Sequence, residues 1–519
     1  MGPHTKTAAA DQARPRRVKL KNGRPSDDRV RTLLFAALAA ATLTLAGCVQ
    51  PPANDEAVPP GEPDPLSYEE LRQPTLLPDL DLGIGDGEPS IAVAPNGTIY
   101  VSAISQMFRS DDGGKTFKPL GEPGCAFPYG NFGAPCPPGK ETTYADTDGH
   151  GDGDITVTPD GRLHWLGLFG SSDSVPYQAS EDGGQTFGNA EDLADGASAD
   201  RQWIDSAPDG SMAATWRDFG GSGVVAFRLS EDGGATWGEP SEMAPDAVGG
   251  PVVHGPVPHT WYEAMTTFAD TQGAPGGTGG GKVVLARTQD DGAHWNLSVV
   301  FEPPQSAQLG LIGFATSIFP VVALDTDGTV YVAFSADQRA VPTPAPAPKS
   351  AARFGVYLAV SHDDGATFSP PVLISDPAHA AIMPAMVAGA PGRVAIAWYE
   401  NEHGMPNDSL PDIWDVMLWQ STTAGQAQPA SIIVQLNTEP AHIGTVCTQG
   451  AGCLAGDRTL LDFFEVALDI HGNPVATWSS SLPGGGIGVN PQETRIHFGG
   501  VADGADLLHP VIAAPDGGA

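Results

Sequence analysis

The segment Ser110-Asp111-Asp112-Gly113-Gly114-Lys115-Thr116-Phe117 decides the fold, because its pattern returns four more times along the chain. The pattern reads Ser-x-Asp-x-Gly-x-Thr-aromatic, and the other copies are Ser180 to Phe187, Ser230 to Trp237, Thr288 to Trp295 and Ser361 to Phe368. In the fourth copy His294 stands where the others have Thr. Recurrence of one short pattern at intervals of roughly 50–70 residues indicates an architecture built from repeated units.

The chemistry of this segment predicts a tight hairpin turn. Its Asp carboxylate accepts hydrogen bonds from nearby backbone N–H groups, and Gly supplies the positive φ that such a turn needs. The closing Phe or Trp is then placed to bury apolar surface against a neighbouring unit. The segment resembles the Asp box, or BNR repeat, of sialidase-like β-propellers, over about residues 84–505. The box is structural in that family, so the resemblance implies a fold rather than an activity.

The stretches between the boxes predict the rest of each unit. A unit begins with an apolar strand, a Gly turn and a second strand, as in Ser90 to Val101 and Ile155 to Trp165. A third strand enters the box and a fourth leaves it, which is the antiparallel order of a propeller blade. Seven units begin near residues 88, 153, 200, 250, 318, 383 and 462. We predict an all-β propeller of seven four-stranded blades, with six as the alternative because sialidases have six. An edge strand from Leu66 to Leu82 or from Asp506 to Ala513 would close the ring.

Residues 1–47 have the layout of a secretory signal and are predicted to lie outside the fold. Basic residues precede an apolar run, Leu33 to Ala46, whose roughly fourteen residues are too few to span a bilayer. The run ends Leu45-Ala46-Gly47-Cys48, which resembles a lipobox, so Cys48 is the predicted lipidation site. A plain secretion signal and an uncleaved anchor are the alternatives. Residues 48–66 are then a Pro-rich tether and residues 67–519 the propeller, on a cell-surface protein held to the membrane by lipid.

The charge and the cysteines limit the compartment and the partners. The chain has 62 Asp and Glu against 26 Lys and Arg, a net charge of −36, which repels nucleic acid and anionic membranes. Four cysteines remain besides Cys48. They permit three pairings, of which Cys125–Cys136 and Cys447–Cys453 are the simplest because each closes a local loop. Neither pair has the Cys-x-x-Cys spacing of a zinc site. We expect a disulfide-bonded monomer in an oxidising compartment.

The long connections predict where a ligand binds. In a blade, the turns between strands one and two and between strands three and four share one face, here called the turn face. The other connections lie on the loop face and carry the length variation, as in Pro123 to Asp152 and Ala336 to Arg353. Binding and catalysis concentrate on such loops. The polar groups expected at the channel mouth on this face are Glu88, Asp152, Asp154, Asp200, Arg201, Arg217, Asp218, His254, Asp337, Glu400 and Arg458.

These side chains predict an anion or sugar site. Arg201, Arg217 and Arg458 would bind a carboxylate bidentately. Next to them, four carboxylates alternate with glycines at Asp146, Asp148, Asp152 and Asp154, which suits Ca²⁺. This stretch lacks the closing Glu of an EF-hand loop, and a plain acidic turn is the alternative. The rest of the sequence requires no cofactor.

The resemblance also raises the question of sialidase activity. Sialidases grip the substrate carboxylate with an arginine triad, use a Tyr–Glu pair as nucleophile and an Asp as acid and base. Here Asp86-Gly87-Glu88-Pro89 stands where the family has its first arginine, and Ala103 to Met107 is too short for the acid-bearing loop. No Ser-His-Asp elbow, phosphate loop or HExxH motif is present.

Two hypotheses about function follow. The first is a lipid-anchored propeller that binds a glycan, a peptide or a partner protein on its loop face. The second is an exo-α-sialidase or another glycoside hydrolase or lyase with a rebuilt site. In the second, the three arginines would act with Tyr399 and Glu400, or with the alternative pair Tyr262 and Glu263.

Overall fold

The computed structural model describes residues 71–84, 87–104, 106–120, 150–169, 174–188, 190–196, 198–219, 223–267, 281–303, 318–341, 353–402, 412–446, 458–481 and 494–509. These ranges contain thirty β-strands and no helix. In particular, none of their segments is a helix of the length and apolarity needed to cross a membrane.

The strands form seven antiparallel sheets. Six of them are built from strands that follow one another in the chain, and the seventh joins the last strands to the two at the N-terminal end of the described residues. Blade 1 comprises β3 (Ser90–Val93), β4 (Ile99–Ser102), β5 (Met107–Ser110) and β6 (Lys118–Pro119). Blade 2 comprises β7 (His150–Val157), β8 (Leu163–Phe169), β9 (Pro176–Ser180) and β10 (Glu191–Asp192). Blade 3 comprises β11 (Ala199–Ser206), β12 (Met212–Asp218), β13 (Val225–Ser230) and β14 (Ser241–Ala244). Blade 4 comprises β15 (Ala247–His254), β16 (Trp261–Thr267), β17 (Val283–Thr288) and β18 (Asn296–Phe301).

The last three blades vary the plan slightly. Blade 5 comprises β19 (Val321–Leu324), β20 (Val330–Asp337), β21 (Phe354–Ser361) and β22 (Val372–Leu373). Blade 6 comprises β23 (Ala380–Ala388), β24 (Val394–Asn401), β25 (Asp412–Ser421) and β26 (Ser431–Gln435), and the short β27 (His442–Gly444) also pairs with β25. Blade 7 comprises β28 (Glu465–Leu468), β29 (Pro474–Ser481) and β30 (Thr494–Asp503). The first strands of the seven blades contact one another in a closed cycle, which confirms the seven-bladed propeller over the six-bladed alternative.

The N-terminal segment closes the ring. Its strands β1 (Thr75–Leu76) and β2 (Leu80–Ile84) pair antiparallel with β30 and complete blade 7. Two side-chain contacts reinforce this seam, a hydrogen bond between His497 Nδ1 and Asp79 Oδ1 and an ion pair between Arg495 Nε and Asp81 Oδ2, each at 2.6 Å. Of the two predicted closing segments, the N-terminal one pairs over Thr75–Leu76 and Leu80–Ile84, and residues 510–513 of the C-terminal one lie outside the described residues.

All five Asp boxes form the predicted turns between the third and fourth strands of blades 1 to 5. In blade 1, Asp112 accepts the Thr116 backbone N–H at 2.9 Å and the Thr116 hydroxyl at 2.6 Å. The Ser110 hydroxyl oxygen accepts the Gly114 N–H at 2.9 Å. In the box of blade 4, the ring Nδ1 of His294 replaces the hydroxyl, 2.7 Å from the carboxylate of Asp290. The one departure from the sequence pattern therefore keeps its hydrogen bond.

Each box is also a contact to the preceding blade. The Phe117 ring lies 4.7 Å from the ring of Phe498 in blade 7, and Trp237 and Trp295 make similar contacts with the preceding blades. Gly114 has φ +81°, and a Cβ there would lie 2.4 Å from Phe498, so both its conformation and its surroundings require glycine. The expected burial of the closing aromatic against a neighbouring unit is confirmed.

Carboxylates connect the first strands around the channel. A first strand has one edge without a strand partner, and its N–H groups need other acceptors. Glu465 of blade 7 accepts Ile91 N–H of blade 1 at 2.9 Å, Asp154 of blade 2 accepts Ile204 N–H of blade 3 at 2.8 Å, and Asp205 of blade 3 accepts His254 N–H of blade 4 at 2.8 Å. These acids link successive blades from 7 to 1 and from 2 to 4.

Candidate functional site

Six ionisable side chains meet on the loop face, where the first strands of blades 7, 1, 2 and 3 begin. Three of them precede the first strands of blades 1 and 7, and the other three lie at the loop-face ends of β7 and β11. We call this group the mouth cluster: Glu88, Asp152, Asp200, Arg201, Arg458 and Asp462. Since Asp462 also lines the central cavity of about 310 Å³, the mouth cluster stands at the loop-face end of that cavity.

Asp462 is the centre of the mouth cluster. Its carboxylate is fully buried and lies 2.8 Å from Nη2 of Arg201, while Arg458 binds both of its oxygens, at 2.6 and 3.1 Å. Although burial opposes ionisation, the two guanidinium groups hold the pKa of Asp462 below its ordinary value. Two of the three arginines expected to clamp a ligand carboxylate therefore already bind a carboxylate of the protein.

Carboxylates of three blades surround Arg201. Besides Asp462 of blade 7, Asp200 Oδ2 lies 3.6 Å from its Nε and Asp152 Oδ2 lies 3.9 Å from its Nη1. The guanidinium carbon stands 5.1 Å from the ring centroid of Phe319. The cluster is accessible at its edge, because the side chains of Arg458 and Asp200 keep 29% and 23% of their exposure.

Two acids of the cluster have a raised pKa. Burial, and after it the charge of Asp152, raise the pKa of Glu88 well above its ordinary value. Burial likewise raises the pKa of Asp200, against the opposing charge of Arg201. Burial therefore favours the protonated form of both carboxyl groups, in contrast to Asp462.

The backbone is strained at two positions of the cluster. Glu88 has φ 49° and Arg201 has φ 59°, the left-handed region that favours glycine. At Arg201 the strain accompanies a shift in the β11–β12 register between Asp200 and Trp203. Such residues cost about 1–3 kcal/mol each and concentrate at functional sites. Strain in two separate blades of the same cluster favours a function for the mouth cluster beyond holding blades together.

An aromatic group stands beside the cluster. Arg217 is the cross-strand partner of Asp200, and its guanidinium carbon lies 4.7 Å from the ring centroid of Phe219. Phe219 is one of the few large apolar residues that are exposed in the described part of the chain, with 45% of its surface accessible. Burial lowers the pKa of Arg217. Arg217 and Asp218, both at the end of β12, therefore lie next to the mouth cluster as predicted.

Asp154 lies deeper, in the channel wall, and not with the arginines. The Ser90 hydroxyl lies 2.7 Å from Asp154 Oδ1 and 2.8 Å from Glu465 Oε2. Because a hydroxyl has a single proton to donate, one of the two carboxyls must be protonated to complete both hydrogen bonds. In agreement, burial raises the pKa of Asp154 to about 7.

The predicted Tyr–Glu pairs lie away from the mouth cluster. Glu400 accepts hydrogen bonds from His379 at 2.8 Å and Trp398 at 2.9 Å, and the fully buried Tyr399 donates to the Ser479 carbonyl at 2.9 Å. In the alternative pair, Tyr262 donates to Asp364 of a box on the turn face, and Glu263 is fully buried. Neither pair faces the mouth cluster.

Two other predicted positions differ. His254 is the last residue of β15, so it lies on the turn face, where its ring binds Asp205 at 2.7 Å. Its placement at the loop-face mouth was wrong, because the first strand of blade 4 starts earlier than the irregular sequence there suggested. Asp337 lies on the loop face at the end of β20, but it is bound by Arg339 at 2.6 Å, and neither belongs to the cluster.

Part of the predicted metal site can be located. Asp152 faces Arg201 whereas Asp154 faces Ser90, so these two carboxylates do not point at one ion. Asp146 and Asp148 lie outside the described residues. Within the described ranges, no three His, Cys, Asp or Glu side chains are grouped to hold a metal ion. Cys48 and the cysteines of both predicted disulfides, Cys125, Cys136, Cys447 and Cys453, also lie outside, so lipidation and pairing stay predictions.

The sequence reasoning missed Asp462 and Glu465. Both lie where the seventh unit was predicted to begin, but that unit has no Asp box to align it with the others. Alignment of the first strands on their strand pairs and Gly turns shows that Asp462, ten residues before Gly472, stands where Asp200 stands before Gly210 in blade 3. That equivalence was the available signal.

The comparisons with known proteins concern the fold. No protein-family model and no curated protein matches the chain. Among solved structures, it is similar to the GH93 α-L-arabinofuranosidase of Fusarium graminearum, with 14% identity over 67% of this chain and 92% of the other, and a TM-score of 0.41. It is similar to an α-L-arabinanase of Penicillium chrysogenum, with 13% identity, 69% and 94% coverage and a TM-score of 0.42. It is also similar to a PL25 ulvan lyase, with 12% identity, 85% and 96% coverage and a TM-score of 0.44.

Proposed function

We propose that the protein is a carbohydrate-binding propeller whose ligand sits on the mouth cluster of the loop face. The observation that carries this proposal is the convergence of carboxyl and guanidinium groups from blades 7, 1, 2 and 3 on one strained, partly accessible spot beside an exposed aromatic ring. Sugar hydroxyls both donate and accept hydrogen bonds, so they match a surface that offers acceptors and donors side by side. Phe219, under Arg217, would supply the apolar contact for a sugar ring face.

The charge of the cluster favours a hydroxylated ligand over an anionic one. Asp462 already binds both Arg201 and Arg458 from the interior of the protein. Three further carboxyl groups surround the Arg201 guanidinium, those of Asp152, Asp200 and Glu88. A ligand carboxylate would have to displace one of these groups. A neutral sugar would bind Asp200 and Arg458 at the accessible edge without displacing any group.

The setting of this function remains as proposed from the sequence. The propeller would be a monomer anchored at the cell surface through lipid on Cys48, held away from the membrane by residues 48–66 and closed by the two local disulfides. A peptide or partner protein on the same face is the competing ligand. It would bury the loop rim and would not depend on single hydroxyl contacts.

A glycan array tests the proposal. We expect neutral oligosaccharides among the bound ligands, and we expect Asp200→Asn and Arg458→Ala each to weaken their binding at least tenfold. Arg162→Ala, on the turn face, is the control that removes an arginine without touching the cluster. Because the ligand is uncharged, added salt should leave its affinity unchanged. Equal effects of all three variants, or binding of proteins and no glycan, would contradict the proposal.

A glycoside hydrolase or lyase is the second candidate, and one observation favours it. Glu88 is a buried carboxyl with a raised pKa beside the Asp152 carboxyl, and two acids in unlike environments are what general acid–base cleavage of a glycosidic bond requires. Sialidase activity specifically would need a substrate carboxylate bound by Arg201 and Arg458, which Asp462 opposes.

Turnover of the array ligands distinguishes the candidates. If the protein is an enzyme, reducing-end or unsaturated products should appear with the wild type, and Glu88→Gln should abolish their release while the affinity for the glycan changes little. If it is a binding protein, neither the wild type nor the Glu88→Gln variant should release product at equal ligand occupancy.

A further inference from the structure

A second cavity opens at the loop-face end of blade 6. It measures about 390 Å³ and lies against one face of the sheet formed by β24, β25 and β26. We call it the blade-6 cavity. Its acidic lining consists of Glu400, Glu402 and Asp415, with His379 beside them, and its apolar lining of Ile413 and Met417. No Lys or Arg is among the described residues that line it, so its charge is negative.

Two acids of the lining stand opposite each other in the sheet. Glu400 and Asp415 are directly opposed on β24 and β25, and like charges in that position destabilise a sheet. Glu400 is nevertheless satisfied, because His379 and Trp398 occupy its two oxygens. For Asp415, Oδ1 accepts Asn437 Nδ2 at 2.7 Å. Its Oδ2 and the Glu402 carboxylate accept no hydrogen bond from the described part of the chain, which leaves two carboxylates facing the cavity.

An exposed apolar pair adjoins the carboxylates. Ile413 of β25 and Ile443 of β27 are cross-strand partners and keep 53% and 38% of their exposure. They lie side by side because β27 takes the place of β26 beside the start of β25. A ligand that reaches Asp415 from the rim would pass over this pair.

We propose that the blade-6 cavity binds the basic side chain of a partner polypeptide, an arginine or lysine whose neighbouring apolar residue rests on Ile413 and Ile443. The cation would lie between Asp415 and Glu402 and relieve the repulsion between Asp415 and Glu400. A planar guanidinium can bind the free oxygens of both carboxylates. The net charge of −36 favours the approach of cations over anions at long range. This site is separate from the mouth cluster and does not depend on the proposed glycan ligand.

The test uses short peptides of defined charge. Acetyl-Leu-Arg-amide is titrated against the protein by calorimetry, beside acetyl-Leu-citrulline-amide, which has nearly the same shape without the charge, and acetyl-Gly-Arg-amide, which lacks the apolar neighbour. We expect the arginine peptide to bind at least tenfold more tightly than the citrulline peptide and several-fold more tightly than the glycine peptide. Its affinity should fall as salt is added.

Two variants separate recognition from structure. Asp415→Asn keeps an oxygen that can accept from Asn437, so we expect it to fold, to lose at least tenfold in affinity and to melt at a higher temperature than the wild type. Glu239→Gln, an exposed acid of blade 3, removes the same charge elsewhere and should change neither. Equal binding of the arginine and citrulline peptides would overturn the proposal. So would an Asp415→Asn variant that melts lower and binds unchanged, because that result assigns Asp415 a purely structural role.

Discussion

Asp112 on the turn face and Glu88 on the loop face are both acids next to the end of a strand, but their surroundings shift their pKa values in opposite directions. Asp112 is exposed, and hydrogen bonds from Thr116 and Ser110 in its own turn lower its pKa to about 2. Glu88 is buried, and burial together with Asp152 of the next blade raises its pKa. One is satisfied by residues within four positions in the chain, whereas the other depends on residues from other blades.

This difference separates two kinds of carboxylate in the propeller. An Asp box satisfies its carboxylate locally, so each box should contribute to stability by itself. The mouth cluster is satisfied only when blades 7, 1, 2 and 3 are in place, so its members should act together. Changes at the cluster should therefore cost more than changes at a box and should also affect the ligand.

The largest effect is expected for Asp462→Ala. The substitution leaves Arg201 and Arg458 facing each other in a buried site without their shared carboxylate. Breaking a buried ion pair from one side costs about 3–5 kcal/mol. Urea denaturation of the variant should show that loss, and Arg458→Ala should show less because Arg201 then keeps Asp462. A loss below about 1 kcal/mol for Asp462→Ala would mean that the cluster is not cooperative.

Glu263 provides a third environment, a fully buried acid for which the Thr215 hydroxyl is the one group that favours the ionised form among the described residues. Burial raises its pKa well above the ordinary value. The folded state therefore keeps a proton that the unfolded state loses above pH 4 to 5, and stability falls as pH rises beyond that range. The slope is about 1.4 kcal/mol per pH unit until the folded-state pKa is reached.

Glu263→Gln should remove this contribution. The variant and the wild type should have similar unfolding free energies at pH 4, and the variant should become the more stable one as the pH rises to 8. Parallel pH profiles of the two proteins would show that Glu263 finds a partner when it ionises.

A smaller effect is expected for Asp182→Ala in the box of blade 2. Asp182 accepts the Thr186 N–H at 2.8 Å and the Thr186 hydroxyl at 2.6 Å, and solvent reaches it. The loss should be about 1 kcal/mol, without an effect on ligand affinity. Glu181→Ala, at the exposed neighbouring position, is the control. A weaker ligand affinity in Asp182→Ala at unchanged stability would place the ligand on the turn face.

The smallest effect is expected for His294→Thr, which restores the common box sequence in blade 4. The Thr hydroxyl should take over the hydrogen bond of the His ring to Asp290, as in the other boxes. The melting temperature should stay within experimental error at neutral pH. A clear change would show that the boxes are not interchangeable.

The fold followed from the sequence because its determinants are local. The Asp boxes and Gly turns fix hairpins within a few residues, and four strands between successive boxes leave few alternatives to a blade. The blade count needed only the units to be recognised, including the two without a box. The choice of the N-terminal closing strand did not follow, since either end of the chain had apolar residues to offer.

The mouth cluster followed only in part. Arg201, Arg458 and Asp200 were found because polar residues at the loop-face ends of strands stand out in the sequence. Asp462 and the Asp154–Ser90–Glu465 contact were not, because they depend on blade 7 lying next to blade 1, which no local pattern encodes. The position of His254 was mispredicted for a related reason. The face on which a residue lies depends on where its strand begins and ends, and the irregular sequence of this strand did not show its ends.

The closing seam also orders events in time. Asp81 binds Arg495 and Asp79 binds His497, although more than four hundred positions separate the partners. During synthesis, β2 therefore waits for the last blade before it can pair, and ring closure must come late in folding. A chain cut short before β30 would retain blades 1 to 6 but leave β2 as an unpaired strand, and such a strand pairs readily with a second chain. Formation of the final hairpin, β29–β30, is thus the step that gives β2 its partner and removes this exposed strand edge as a site of aggregation.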